Sequence, residues 1–75
     1  MRGVVAGTFA SARVITLRAP VGGFANIALT NETEIVRATG ARATLADVVP
    51  GADVDAVGRP STPDTLLARR VVLLN

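Results

Sequence analysis

Asp53 and Asp55 are the residues whose type and spacing come closest to a chemical site in this chain. Residues two apart on an extended strand share a face, and Asp47 lies a short distance upstream. Carboxylates in this arrangement could bind a hard cation such as Ca²⁺, which takes about six to eight oxygen ligands. No loop of the sequence concentrates ligands in that way, so we interpret these aspartates, like Glu32 and Glu34, as solvent-facing strand residues. We expect no metal and no cofactor.

The residue types that are missing restrict the chemistry further. The 75 residues include no His, Cys, Lys, Trp or Tyr, which removes Ser-His and Cys-His nucleophile pairs, Schiff-base lysines and disulfides. Paired carboxylates hydrolyse glycosides in other proteins, but that reaction needs a cleft that holds the two carboxyls at a defined separation. A small barrel filled with Val, Leu and Ala leaves little room for such a cleft. We therefore expect that the protein is not an enzyme.

The stretch from Thr44 to Gly58 indicates the architecture that positions these residues. Thr44 and Asp47 have the spacing of a capping box, which predicts a short helical turn between Thr44 and Val49. Pro50-Gly51 ends that turn. The alternation that follows, over residues 53–58, predicts a half-buried strand.

Five further strands are predicted from alternation and from turn residues, over 3–10, 13–18, 24–30, 33–37 and 66–74. Gly7, inside the first of them, is expected to mark a bulge or a sharp bend where the barrel turns a corner. Loops are predicted over 19–23 and 59–64, where Gly and Pro cluster. Six short strands in so small a chain predict an all-β fold: a closed six-stranded barrel that forms one domain over residues 1–75.

The last strand ends in a run that is apolar on both faces, with Val71 and Leu73 on one side and Val72 and Leu74 on the other. A strand of this kind is either covered twice or exposes an apolar edge, which makes it a candidate contact surface. Interfaces favour an apolar centre with arginine at the margin. The candidate interface therefore comprises Arg69, Arg70, Val71, Val72, Leu73 and Leu74.

Arg69 and Arg70 are adjacent, so regular strand geometry points them to opposite faces. One guanidinium is then expected to lean inward or to lie at the barrel rim. Because an unpaired buried charge is costly, we expect an ion pair with Asp53, Asp55 or Glu34.

The order of these motifs resembles an uncharacterised bacterial family of small OB-like β-barrels, a domain of unknown function. The matching positions span nearly the whole chain: Gly3-Val4-Val5, Ile15-Thr16-Leu17, Thr33-Glu34-Ile35, Thr44 to Val48, Gly51, Val54, Gly58, Thr65-Leu66 and Ala68. The chain departs from the family pattern at Thr62-Pro63-Asp64, where a Gly-containing hairpin is expected. The resemblance implies an OB-like barrel, and parents that are often secreted or envelope-associated, but no chemistry.

Two functions follow as expectations. The first is a non-enzymatic module that acts through protein association or self-assembly, which makes it a candidate oligomer. The alternative is an OB-like binder of single-stranded nucleic acid or another anionic polymer, with Arg13, Arg18, Arg37 and Arg59 as candidate anion-binding residues. The net charge of +2 is small for that role, and we expect Phe9 and Phe24, the only aromatic residues, to be interior rather than available for stacking.

The sequence leaves the compartment open. No apolar run has the length of about 18 residues that a membrane-spanning helix needs. The first residues lead directly into a predicted strand. The protein is expected to be extracytoplasmic if the family resemblance holds and a leader has been removed, and cytoplasmic otherwise.

Overall fold

Six strands and one 3-10 turn make up the fold. The structure, a computed structural model, describes residues 1–74. In chain order the elements are β1 (Arg2–Phe9), β2 (Val14–Val21), β3 (Phe24–Ala28), β4 (Glu34–Arg37), the 3-10 turn (Leu45–Asp47), β5 (Asp53–Thr62) and β6 (Thr65–Leu73).

Five of the strands close into a barrel, and β4 lies outside it. The antiparallel pairs are β1–β2, β2–β3, β1–β5 and β5–β6, and a parallel pair, β3–β6, completes the circuit. The all-β closed barrel is therefore confirmed, but with five strands in the circuit rather than the expected six. The reason is that β6 is long enough to take two neighbours on one edge: β3 along its first half and β4, also parallel, along its second.

The chain that follows β4 covers the outer edge of this extra strand. The Ala43 N–H donates to the Ile35 carbonyl, and the Arg37 N–H donates to the Ala41 carbonyl, both at 2.8–2.9 Å. Pairing of this kind leaves little free backbone on β4 to which another strand could add.

Alternate residues of the five barrel strands form the core. Val5, Ile15, Ile27, Val54 and Val71 are the largest of the fully buried side chains. Their neighbours along each strand are half-buried or exposed, which is the pattern that the sequence predicts for strands with one buried face. The buried cluster consists of Val, Ile, Leu and Ala side chains, without a buried polar or charged residue among those described.

The 3-10 turn packs beside this core as expected from the capping motif. The Asp47 carboxylate accepts a hydrogen bond from the Thr44 backbone N–H at 2.9 Å. Val48 is buried in the core and Leu45 packs against it, whereas Val49 is exposed.

Two strands are longer than the sequence predicts, because the turns that join them are tighter. The predicted loop over 19–23 is wrong: β2 continues to Val21, and Gly22-Gly23 alone makes the turn to Phe24. Both glycines have positive φ (59° and 89°), the requirement of a two-residue type I′ hairpin. The predicted loop over 59–64 is also wrong, since β5 runs to Thr62 and only Pro63-Asp64 separates it from β6.

Candidate functional site

A row of apolar side chains crosses the outer face of the barrel. Phe9 on β1 lies opposite Val14 on β2, and Val14 lies opposite Ala28 on β3. Ala28 in turn is the register partner of Leu67 on β6. Directly paired residues project to the same side of a sheet, so these four residues, which we name the outer row, form one continuous strip over four strands.

Phe9 is the most exposed member of the outer row, with 58% of its surface accessible. The expectation that Phe9 is interior is therefore wrong. The cause is the bulge that Gly7 marks: the β1–β2 register shifts between Val5 and Gly7. An extra residue at this point reverses the facing of every residue after it, so Phe9 points outward although it is four residues beyond the buried Val5. Phe24, in contrast, is half-buried and packs against the core.

An open cleft continues from the Leu67 end of the outer row, with a volume of about 570 Å³. Its lining includes the apolar residues Leu67 and Val57 and the polar residues Thr30 and Glu32. Arg59 and Arg69 also line it. We name it the Arg59–Arg69 cleft.

A second bulge shapes this cleft. Val57 pairs with Arg70, but the next residue, Gly58, pairs with Ala68, so Arg69 is an extra residue on β6. Leu66 and Ala68 before the bulge face the core, as do Val71 and Leu73 after it. The expectation that Arg69 and Arg70 point to opposite faces is therefore wrong, and neither leans inward: both are exposed.

Gly58 permits the strands to approach closely at this bulge. A Cβ atom at position 58 would lie 2.0 Å from the Leu67 carbonyl oxygen and 2.8 Å from the Ala68 Cα. Only glycine fits at such an approach. The display of Arg69 in the cleft therefore depends on a residue on the neighbouring strand.

Arg70 forms the ion pair that the sequence analysis expects, with Glu34 as its partner. Its guanidinium lies 3.3 Å from the Glu34 carboxylate on the adjacent strand, where the two residues are in register. Both side chains are more than half exposed, so the pair contributes little to stability.

The apolar part of the expected interface divides between the core and the outer surface. Val71 and Leu73 are buried in the barrel core, so they are removed from the candidate interface: they cannot touch a partner while the barrel is folded. Val72 and Leu74 are half-buried. The last strand is not an open edge, because β5, β3 and β4 flank it.

The structure does not gather the four candidate anion-binding arginines into one site. Arg37 pairs with Asp47 at 3.3 Å, and Arg13 donates to the Asn31 side chain. Arg18 lies near Gly51, away from the cleft lining. Arg59 lines the cleft, where its neighbour is Arg69. Within residues 1–74, the side chains of Arg59 and Arg69 make no hydrogen bond and no ion pair.

The carboxylates are dispersed rather than clustered. Asp55 pairs with the N-terminal amine at 3.1 Å, and the pairs of Glu34 and Asp47 are given above. Among the described residues, no three carboxylates converge as ligands for a metal ion. Hydrogen bonds from the hydroxyls of Thr62 and Thr65 lower the pKa of the Asp64 carboxyl from its usual 3.8. Asp64 thus acts as the acceptor that orders the β5–β6 turn.

The described residues include no helix with the length and apolar character to cross a membrane. Comparison of the chain with known protein families, with curated proteins and with solved structures finds no match.

Neither the outer row nor the position of Arg69 in the lining of a cleft was predicted from the sequence. The row consists of ordinary strand residues whose facing depends on the bulges. Gly7 carried the necessary signal, because a bulge at that position reverses the facing of Phe9. Nothing in the local sequence marks Arg69 as the extra residue of β6.

Proposed function

We propose that the protein is a non-enzymatic, OB-like binding module that associates with a partner protein through the outer row. The observation that carries the proposal is the continuity of Phe9, Val14, Ala28 and Leu67 across four strands. Interfaces are enriched in aromatic residues and arginine and depleted of other charges at their centre. The outer row, with Phe9 at one end and Arg59 opposite Leu67 at the other, has this composition.

The position of the outer row on the barrel supports the same function. The proposal treats this five-stranded barrel, with a helical turn before its fourth barrel strand, as OB-like; OB folds bind their ligands on the face of strands 2 and 3 and in adjoining loops. The outer row crosses β2 and β3 on that face. Fold alone is a weak guide to function, so the proposal depends on the side chains that this face presents.

Association through a free strand edge has less support than association through the outer row. The barrel circuit is closed, and the segment after β4 covers that strand's outer edge. Self-assembly, where it occurs, would then use the outer face and not strand addition.

The alternative is an OB-like binder of single-stranded nucleic acid or another anionic polymer. The exposure of Phe9 favours it, because a base can stack on an exposed aromatic ring. Two features weigh against it. Only one aromatic ring is exposed in the described residues, and Arg37 is already engaged by Asp47.

Selection from a library of random short peptides tests the proposed function. Peptides displayed on phage would be selected on biotin-tagged protein, and their affinities compared between wild type and Phe9→Ser. We expect binders whose affinity falls at least about tenfold in Phe9→Ser, the range typical when an anchoring aromatic residue is truncated.

Val49→Ser is the matched control for this experiment. Val49 is also an exposed apolar residue, 53% accessible against 58% for Phe9, but it lies outside the outer row. Binding that survives in Val49→Ser and is lost in Phe9→Ser supports the proposal. Equal binding by all three proteins would overturn it. Binding of oligo(dT) with a steep salt dependence, and of no peptide, would favour the alternative.

A further inference from the structure

The residues that line the Arg59–Arg69 cleft indicate which chemical groups a partner protein would place there. Leu67, which lines the cleft, is the last residue of the outer row. Arg59 lies directly opposite Leu67 on the neighbouring strand, and Arg69 is two residues further along β6. Arg59 and Arg69 are therefore both close to Leu67, one on β5 and the other on β6. Their Cα atoms lie within about 7 Å of the Leu67 Cα atom.

Neither guanidinium is satisfied by the protein itself. Over residues 1–74, the guanidiniums of Arg59 and Arg69 have no hydrogen-bond acceptor and no ion-pair partner, although that of Arg70, beside them, pairs with Glu34. Arginine presents several N–H donors in a planar fork that matches a carboxylate. The cleft can thus bind a ligand in which an acidic group adjoins an apolar one.

Glu32 distinguishes between two kinds of anionic ligand. Glu32 lines the same cleft, and its negative charge disfavours a ligand that carries negative charge along its whole length. A peptide avoids this repulsion, because only selected positions of a peptide are charged. Like-charge juxtaposition is a common source of such discrimination.

We infer that the Arg59–Arg69 cleft binds an extended segment of a partner protein in which an apolar side chain is flanked by an acidic one. The apolar side chain packs on Leu67 and Val57. The acidic side chain accepts hydrogen bonds from Arg59 and Arg69. This inference rests on the proposed function, since the cleft extends the outer row.

The test repeats the peptide selection on three proteins: wild type, the double variant with Arg59→Gln and Arg69→Gln, and Arg18→Gln. We expect wild type and Arg18→Gln to enrich peptides in which Asp or Glu adjoins an apolar residue. In the double variant that enrichment should fall at least about tenfold, as for loss of charge-assisted hydrogen bonds. Far-UV circular dichroism verifies that all three proteins are folded.

The outcomes separate this inference from the proposed function. Equal enrichment of acidic peptides by the double variant and wild type would overturn the inference. Enrichment that depends on Phe9 but shows no acidic preference would also overturn it, and would leave the proposed function standing. If oligo(dT) alone binds, and its affinity falls steeply with salt, both the inference and the proposed function fail.

Discussion

Replacement of Gly58 by alanine should strongly destabilise the pairing of β5 with β6 that forms the Arg59–Arg69 cleft. The added Cβ would lie 2.0 Å from the Leu67 carbonyl oxygen and 2.8 Å from both the Leu67 carbonyl carbon and the Ala68 Cα. Contacts of Cβ atoms under 3.0 Å are essentially never seen. The β6 backbone would have to withdraw from β5 by about 1 Å, and no flexible side chain is present to absorb the change.

The cost of this substitution is large for so small a domain. Overpacking of a core costs about 1–3 kcal/mol when side chains can adjust. Because the obstruction here is backbone, we expect about 3 kcal/mol or more for Gly58→Ala. A domain of this size has a total stability of about 4–11 kcal/mol, so the variant should lose a large part of it. The midpoint of thermal unfolding should fall by about 10–25 °C.

Gly7→Ala is the matched control. Gly7 is also a strand glycine beside a bulge, but a Cβ at that position would meet only the Thr16 Oγ1 atom, at 3.8 Å, an ordinary contact. Its φ is not positive, so alanine should be neutral or stabilise by up to about 1 kcal/mol through the unfolded state.

Unfolding by urea, followed by far-UV circular dichroism, measures both effects. The chain has no Trp or Tyr, so fluorescence is of little use. The reasoning is refuted if Gly58→Ala and Gly7→Ala have the same midpoint, because β5 and β6 would then not approach each other at Gly58 as described.

Three further predictions concern the core, the β5–β6 turn and the segment before β4. Val71→Ala should lower the free energy of unfolding by about 2 kcal/mol, because Val71 is fully buried. Val72 is half-buried on the other face, so Val72→Ala should lower the free energy of unfolding by less than about 1 kcal/mol. Equal losses in urea unfolding would contradict the facing of these two residues on β6. The pKa of Asp64 is lowered in the folded chain, so its ionised form stabilises the fold above about pH 3.8, and this contribution is lost as the pH falls through the lowered folded value. Asp64→Asn should therefore be less stable than wild type at pH 7, with a gap that narrows in acid; a gap independent of pH would disprove the role of the carboxylate. Thr33→Val should cost about 1 kcal/mol, because the Thr33 hydroxyl donates to the Ala68 carbonyl at 2.7 Å, and an unchanged melting temperature would count against that contact.

Much of the fold could be predicted from the sequence, because alternation and turn residues are local signals. All six strands, the helical turn and the bulge at Gly7 were predicted in their correct order. The C-terminal limits of β2 and β5 were not predicted correctly, because Pro20 and Pro60 are residue types typical of loops but here lie within strands. Barrel closure with five strands could not be predicted either, because it depends on β6 pairing with both β3 and β4.

The candidate site was less predictable than the fold. Its position depends on which way each residue faces, and one extra residue reverses that facing along the rest of a strand. Phe9 was expected inside, and Arg69 and Arg70 on opposite faces of β6; both expectations were wrong for this single reason. The Arg70–Glu34 pair was among the expected pairs because it requires only that one charged residue on β6 meets another on a neighbouring strand.

The most direct test of the account is to map where a selected peptide touches the protein. In ¹⁵N–¹H correlation spectra of the labelled protein, we expect the tightest peptide to shift the amide signals of Phe9, Val14, Ala28 and Leu67, the outer row. Signals near Val49 and Gly51 should stay unchanged, because these residues lie outside the row. Shifts that centre on Val49 and Gly51 and leave the outer row unaffected would contradict the account.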